Sequence, residues 1–373
     1  MGWGTAETAA PRVSAEDGVR RLVAAIGPLD TEAAAAARAR NDQLVKPPGS
    51  LGRLEEVGAW LASVCGSCPP PVPERPAAVA CAGDHGVLAQ GVSAWPKEVT
   101  AIIVGEFCAE RAAVNALGRT VGASVTVLDV GVASDVPAHP RLERARVRDG
   151  TADLLDGPAM TNEAAARAVL CGARLVTELV DQADVDLILT GDMGIGNTTP
   201  AACLIAAFSG RPAAEVTGPG AGADTVRRKT EVVGRALERH APDPQDGLST
   251  LASLGGLEHA AIVGVILGAA AQCVPVILDG VSTVAAALVA RAICPVAAGY
   301  AIAGHRSTEP AATIALETLG LEPLLVLRMR LGEATGALLA VPIVRASAAA
   351  LSAMATFEEA GIAKVIRHHP SAR

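Results

Sequence analysis

Val185-Asp186-Leu187-Ile188-Leu189-Thr190 runs without clean polar alternation into Gly191-Asp192-Met193-Gly194-Ile195-Gly196-Asn197, and Thr198-Thr199-Pro200 follows. An apolar run of this kind suits a parallel strand covered on both faces. The glycine-bearing turn and the alanine-rich stretch 200–208 complete a strand-turn-helix unit. Residues 77–82, 125–130, 274–279 and 296–302 repeat the pattern, each ending in a turn that carries Gly or Asp. Helical stretches at 282–293 and 310–319 follow two of them. The alternation predicts an α/β fold, doubly wound around a mainly parallel sheet. In such sheets ligands bind beyond the carboxyl ends of the strands, where these polar turns lie.

The ends of the chain read differently. Residues 15–62 carry helical patterns interrupted by Pro47-Pro48-Gly49-Ser50, and residues 335–360 form another helical stretch around Pro342. Together they predict a small helical subdomain from 1–62 plus 335–373, set against a large α/β domain, 63–334, for substrate binding and catalysis. Residues 135–158, rich in Arg, Asp and Pro, read as an exposed connector.

Composition narrows the function. The chain has 373 residues and a formal charge of −8, yet only 3 Trp, 3 Phe and 1 Tyr. An acidic balance with no Lys/Arg cluster argues against a nucleic-acid surface. So few aromatics also argue against a base-stacking platform. Cys81, Cys108, Cys171, Cys203, Cys273 and Cys294 lie in apolar stretches, as buried free thiols of a reducing cytoplasm do. Cys65 and Cys68 form a C-x-x-C pair without a second ligand pair, so no metal site is expected. The N-terminus lacks the charged start and apolar stretch of a signal peptide. The uncharged run 260–278 approaches membrane-spanning length, but Gln272 and Pro275 make it read as a helix followed by a buried strand. A soluble, cytoplasmic protein without membrane partners is expected.

Candidate chemistry gathers in the turns. The helix start after Asn197 offers free N–H groups and a dipole suited to phosphate, although such loops also serve as plain strand-to-helix turns. Gly194-x-Gly196 is neither a full dinucleotide fingerprint nor a Walker loop. Asp192 reads as a ribose ligand or as a turn carboxylate. A second glycine-rich turn, 218–222, leads to Arg227, Arg228 and Lys229; the two arginines fit a solvated helix face. Asp84-His85 closes the first strand as a functional pair or a loop brace. Gly304-His305-Arg306-Ser307 repeats the strand-turn-helix pattern. Glu333, flanked by Gly332 and Ala334, reads as a desolvated base or as an ordinary acid at a helix start.

Taken in order, KPPGSLG (46–52), AGDHGV, GVSAWPKEVT, TGDMGIGNTTPAA, LGGLEHAAIVG, PVILDGVST, GHRSTEP and MRLGEATGA resemble the nicotinate-nucleotide–dimethylbenzimidazole phosphoribosyltransferases across about residues 40–360. The resemblance implies transfer of phosphoribose from nicotinate mononucleotide to 5,6-dimethylbenzimidazole, with Glu333 as catalytic base and inversion at C1′. It places Asp192, Met193, Gly194, Gly196, Asn197, Thr198, Lys229 and Ser307 around the ribose phosphate. Ser93 and Leu331 fall beside the benzimidazole, with Asp84, His85 and Trp95 near the site. It also implies a homodimer and no cofactor. Departures from the family pattern are Asp192 where Glu is common, Gly218-Pro219-Gly220-Ala221-Gly222 in place of Gly-Arg-Gly-Thr-Gly, and the charged pair in Phe107–Ala113. The altered turn keeps a second reading open, a non-catalytic nucleotide or benzimidazole sensor that retains the pocket.

Overall fold

The computed structural model describes residues 14–219 and 225–362. Gly220–Asp224, within the second glycine-rich turn, and the tail pair His368 and His369 lie outside the described residues. The chain opens with α1 (Ala15–Ala24), α2 (Thr31–Gln43), α3 (Arg53–Cys65), β1 (Pro76–Gly83), α4 (Glu98–Cys108), α5 (Ala113–Val121), β2 (Ser124–Gly131) and β3 (Leu142–Arg144). It continues with α6 (Asn162–Ala183), β4 (Leu187–Met193), α7 (Thr198–Ser209), α8 (Ala213–Val216), α9 (Val226–His240), α10 (Gly247–Leu254) and α11 (Leu257–Ala271). β5 (Val276–Leu278), α12 (Val281–Ile293), β6 (Ala301–Ala303), α13 (Pro310–Leu319) and α14 (Thr335–Ala353) complete it.

The six strands are all parallel, in the order β3-β2-β1-β4-β5-β6. The chain winds outward one way from β1 and the other way from β4, so the topology switches between these two neighbours. Alternate residues of each strand enter two cores. Ala77, Val79, Cys81 and Ile188 face α6, α7, α11 and α12, while Ala78, Ala80, Leu187 and Leu189 face α4, α5 and α14. The doubly wound α/β expectation holds. α2, α3 and the end of α14 share a smaller cluster of Ala33, Ala37, Ala59, Ala62 and Leu351, whereas the first half of α14 lies on the sheet.

Several boundaries depart from the sequence reading. β4 extends through Met193 because its pairing with β1 continues as Cys81↔Asp192 and Ala82↔Met193, so Gly191 and Asp192 belong to the strand. The stretch 135–158 is not wholly an exposed connector: β3 pairs with β2, and Val136, Leu142, Leu154 and Leu155 are buried. A short edge strand with charged flanks has too little apolar pattern to announce itself. Pro295–Tyr300 coils as a 3-10 helix before the three-residue β6, since Pro295 favours a helical start. Cys273 is exposed, at the turn after α11, rather than buried with Cys81, Cys108, Cys203 and Cys294.

The run 260–278 resolves into α11 and β5, both buried. α14 alone among the described helices is long and apolar enough to cross a membrane, and half of its apolar window is buried in the fold. Arg345, within it, donates to the carbonyls of Pro73, Val121 and Glu74.

Candidate active site

A cleft of about 780 Å³ opens beyond the carboxyl ends of β1 and β4, at the switch point. Ser93, Trp95, Asp192, Met193, Gly194, Gly196, Asn197, Thr198, Lys229, Ser307, Leu331 and Glu333 all line it. Residues spread over most of the chain length therefore meet in one place.

One end is built for an anion. No described side chain caps α7, and Gly194, Gly196, Asn197 and Thr198 line the cleft where the positive end of the helix dipole lies; the Thr199 N–H is taken by the Gly196 carbonyl at 3.1 Å. Lys229, on α9 and 3% exposed, donates from Nζ to Thr198 Oγ1 at 3.0 Å and to the Pro219 carbonyl at 3.3 Å. Burial lowers the pKa of its ammonium, partly offset by Glu309. Arg227 and Arg228 point elsewhere: Arg227 pairs with Glu231, and Arg228 donates to the Gln90 carbonyl, both on the exposed face of α9. Ser307 is buried, and its Oγ accepts the Glu309 N–H at 3.3 Å.

The other end is acidic. Gly332, Glu333 and Ala334 adopt successive left-handed φ values of 82°, 60° and 62°, just before α14 begins. Runs of non-glycine residues in this region are strained and persist where packing dictates them. Here the turn lies flat on β4: a Cβ at Gly191 would stand 2.9 Å from the Ala334 nitrogen and 3.2 Å from the Glu333 carbonyl carbon. Burial pushes the Glu333 carboxyl up to about 7, with help from the charges of Asp192 and Asp279. Asp192 is raised to about 6, first by burial and then by the charge of Asp279. Asn197 Nδ2 donates to Asp192 Oδ2, tying the acid to the start of α7. A carboxyl that ionises near neutrality can take a proton during turnover.

Between the two ends the walls are apolar. Met193 forms the floor, while Trp95 and Leu331 stand at the lip, 53% and 56% exposed. Ser93 Oγ accepts the Trp95 N–H at 3.1 Å, which fixes the loop that carries both.

Asp84 and His85 do not reach the cleft. Asp84 Oδ2 accepts the Ala133 N–H at 2.8 Å, bracing the loop after β2. His85 lies under the anion loop, where a Cβ on Gly194 would stand 2.9 Å from His85 Nε2. Its Nε2 is 3.0 Å from Glu258 Oε1, which His259 Nδ1 approaches at 2.7 Å, all three side chains being fully buried. Burial opposes the charge on Glu258, but His85 and His259 together hold it far below the usual carboxylate range. This His-Glu-His group was not legible in advance. Glu258-His259 is a visible doublet, but nothing in the chain shows that His85 meets it. Asp279 and Glu309 were missed for the same reason. Among the described residues no set of three His, Cys, Asp or Glu is arranged to hold a metal.

A doubly wound parallel sheet with a buried lysine and a near-neutral carboxyl in the cleft at its switch point has the form of an enzyme that binds an anionic ligand. A family model described as phosphoribosyltransferase matches residues 26–362, and the chain is an enzyme of that class. The nicotinate-nucleotide–dimethylbenzimidazole phosphoribosyltransferase of Salinispora tropica is 54% identical over 362 residues, covering 93% of this chain and 99% of the relative. Its counterpart from Chloroflexus aggregans is 50% identical, covering 91% of this chain and 96% of the relative. The crystal structure of the Thermus thermophilus enzyme of the same name superposes with a TM-score of 0.85 at 46% identity, covering 90% of this chain and 99% of that one. The chain belongs to the nicotinate-nucleotide–dimethylbenzimidazole phosphoribosyltransferase family.

Proposed function

We propose that this enzyme transfers the phosphoribosyl group of nicotinate mononucleotide to 5,6-dimethylbenzimidazole, giving α-ribazole 5′-phosphate and nicotinate. One benzimidazole nitrogen forms the new bond to C1′ as the bond from C1′ to the pyridinium nitrogen breaks. The proton on the other benzimidazole nitrogen goes to Glu333. The pyridinium leaves with the bonding pair as a neutral ring, so no strong general acid is required. Attack opposite the leaving ring inverts C1′ and converts a β-nucleotide into an α-linked product.

The observation that carries this reading is Glu333 itself, half-buried on the cleft wall with its carboxyl raised to about 7. In the proposal the donor phosphate sits at the start of α7, against Gly194, Gly196, Asn197, Thr198 and Lys229, with Ser307 nearby. Asp192 takes a ribose hydroxyl. Ser93, Trp95, Met193 and Leu331 enclose the acceptor. No diphosphate departs, so the scheme uses neither metal nor cofactor. The protein acts as a soluble, cytoplasmic homodimer in this reading. The shared cluster of α2, α3 and α14 supports a small helical subdomain drawn from both ends of the chain.

Glu333→Gln tests the assignment. With both substrates present, nicotinate release should fall by about 10²–10⁴-fold, the usual worth of a positioned base. Near-full turnover in that variant would remove Glu333 from the chemistry.

A further inference from the structure

We propose that Asp279 is a positioning residue for this reaction: its carboxylate pins the turn that carries Glu333 and sets a fixed negative charge behind it, tuning it as a base. The inference rests on the reading of Glu333 given above.

Asp279 follows β5 and is 1% exposed. Its Oδ1 accepts the Gly336 and Ala337 N–H groups, at 2.6 and 3.0 Å, in the first turn of α14. The left-handed run Gly332–Glu333–Ala334 leads directly into that turn, so the orientation of Glu333 is inherited from the cap. Asp279 is itself locked, since its own N–H donates to Thr283 Oγ1 at 2.9 Å. His305 Nε2 stands 3.4 Å from Asp279 Oδ1, with its ring pressed on Gly336, where a Cβ would lie 1.9 Å from His305 Cδ2.

Capping alone does not call for this residue. A neutral Ser or Asn accepts helix N–H groups well, and burying a carboxylate is costly. Asp279 nonetheless keeps a second oxygen, Oδ2, buried without a hydrogen-bond partner among the described residues. What the charge supplies is repulsion: it raises the pKa of both Glu333 and Asp192. A base matched to its operating pH needs that kind of neighbour. Asp192 on β4 also acts on Glu333; the other charged groups lining the same cleft are Lys229 on α9 and Glu309 before α13, at its anion end, and Arg330 on the loop of Glu333. His305 stands beside Asp279, while Glu258 and His259 act on Asp192.

The test is the pH dependence of kcat/KM for Asp279→Asn, which keeps the cap and removes the charge. The acid-side midpoint should move down by on the order of one pH unit, and the plateau should drop because a weaker base takes the proton less readily. Asp279→Ser, a smaller neutral cap, should move it in the same direction and serves where the Asn variant does not fold. Asp279→Glu retains the charge and should leave the midpoint in place while lowering kcat. The shift should persist in an Asp192→Asn background, because the titration of two close acids belongs to the pair. A folded Asn or Ser variant with an unmoved midpoint overturns the proposal, as does a shift that vanishes without Asp192. Failure of the underlying reading would look different: no nicotinate released by the wild-type enzyme, or full turnover in Glu333→Gln.

Discussion

Glu333 sits where the backbone and the electrostatics both depart from their resting preferences. Its carboxyl ionises near pH 7, and the base form is the ionised one. kcat/KM should therefore rise from acid pH through about 7 and flatten above it, a profile that steady-state assays across pH would reveal. An activity limb near the ordinary carboxylate value of 4.5 would contradict this. The same shift acts on stability with the opposite sense. The folded protein holds this proton more tightly than the unfolded chain, so the favourable contribution is complete below pH 4.5 and is lost as pH rises through about 7. At this scale the sequence was generous with cleft residues, because Gly194, Asn197, Thr198 and Glu333 sit in turns that chemistry favours. It was silent on what tunes them. The charge of Asp279 and the His85–Glu258–His259 group act through space, across long separations in the chain, and no local pattern records them.

Among the elements, α6 and α11 make the most extensive helix contact in the described structure, and small residues allow it. A Cβ at Gly264 would stand 1.8 Å from the Val169 carbonyl oxygen, which is backbone and cannot swing aside. Gly264→Ala should cost about 1–3 kcal/mol through overpacking. A lower urea midpoint measures that cost, with the pH profile of activity unchanged, since this seam lies behind the sheet from Glu333. An unaltered midpoint would mean that the two helices can part without penalty. Helices were the more legible elements: the predicted 310–319 is α13, and 282–293 nearly matches α12. Strands were less so. β3 hides among charged residues, and β4 runs on through Gly191 and Asp192 because its partner β1 continues beside it. Pairing between strands distant in the chain sets such ends.

At the scale of the whole molecule, an interior of Ala, Val, Leu and Gly leaves few rings to spare for a flat substrate. Among the described residues the cleft holds one, Trp95, at its lip. A pocket closed mostly by aliphatic side chains and backbone retains an acceptor by shape and apolar area, which discriminates weakly between ring substituents. Trp95→Ala should raise the acceptor KM more than the donor KM in two-substrate kinetics. An unchanged acceptor KM would take Trp95 out of the site. Scarcity of rings also makes the protein optically quiet. Of its 3 tryptophans, Trp3 lies outside the described residues, and Trp60 is half-buried with its Nε1 donating to the Gly299 carbonyl at 2.9 Å. Trp95 stands in water at the mouth of the cleft, so its emission should change when a benzimidazole covers it. The enzyme carries its own lamp at the door, and occupancy of the acceptor site can be read without labelling a single residue.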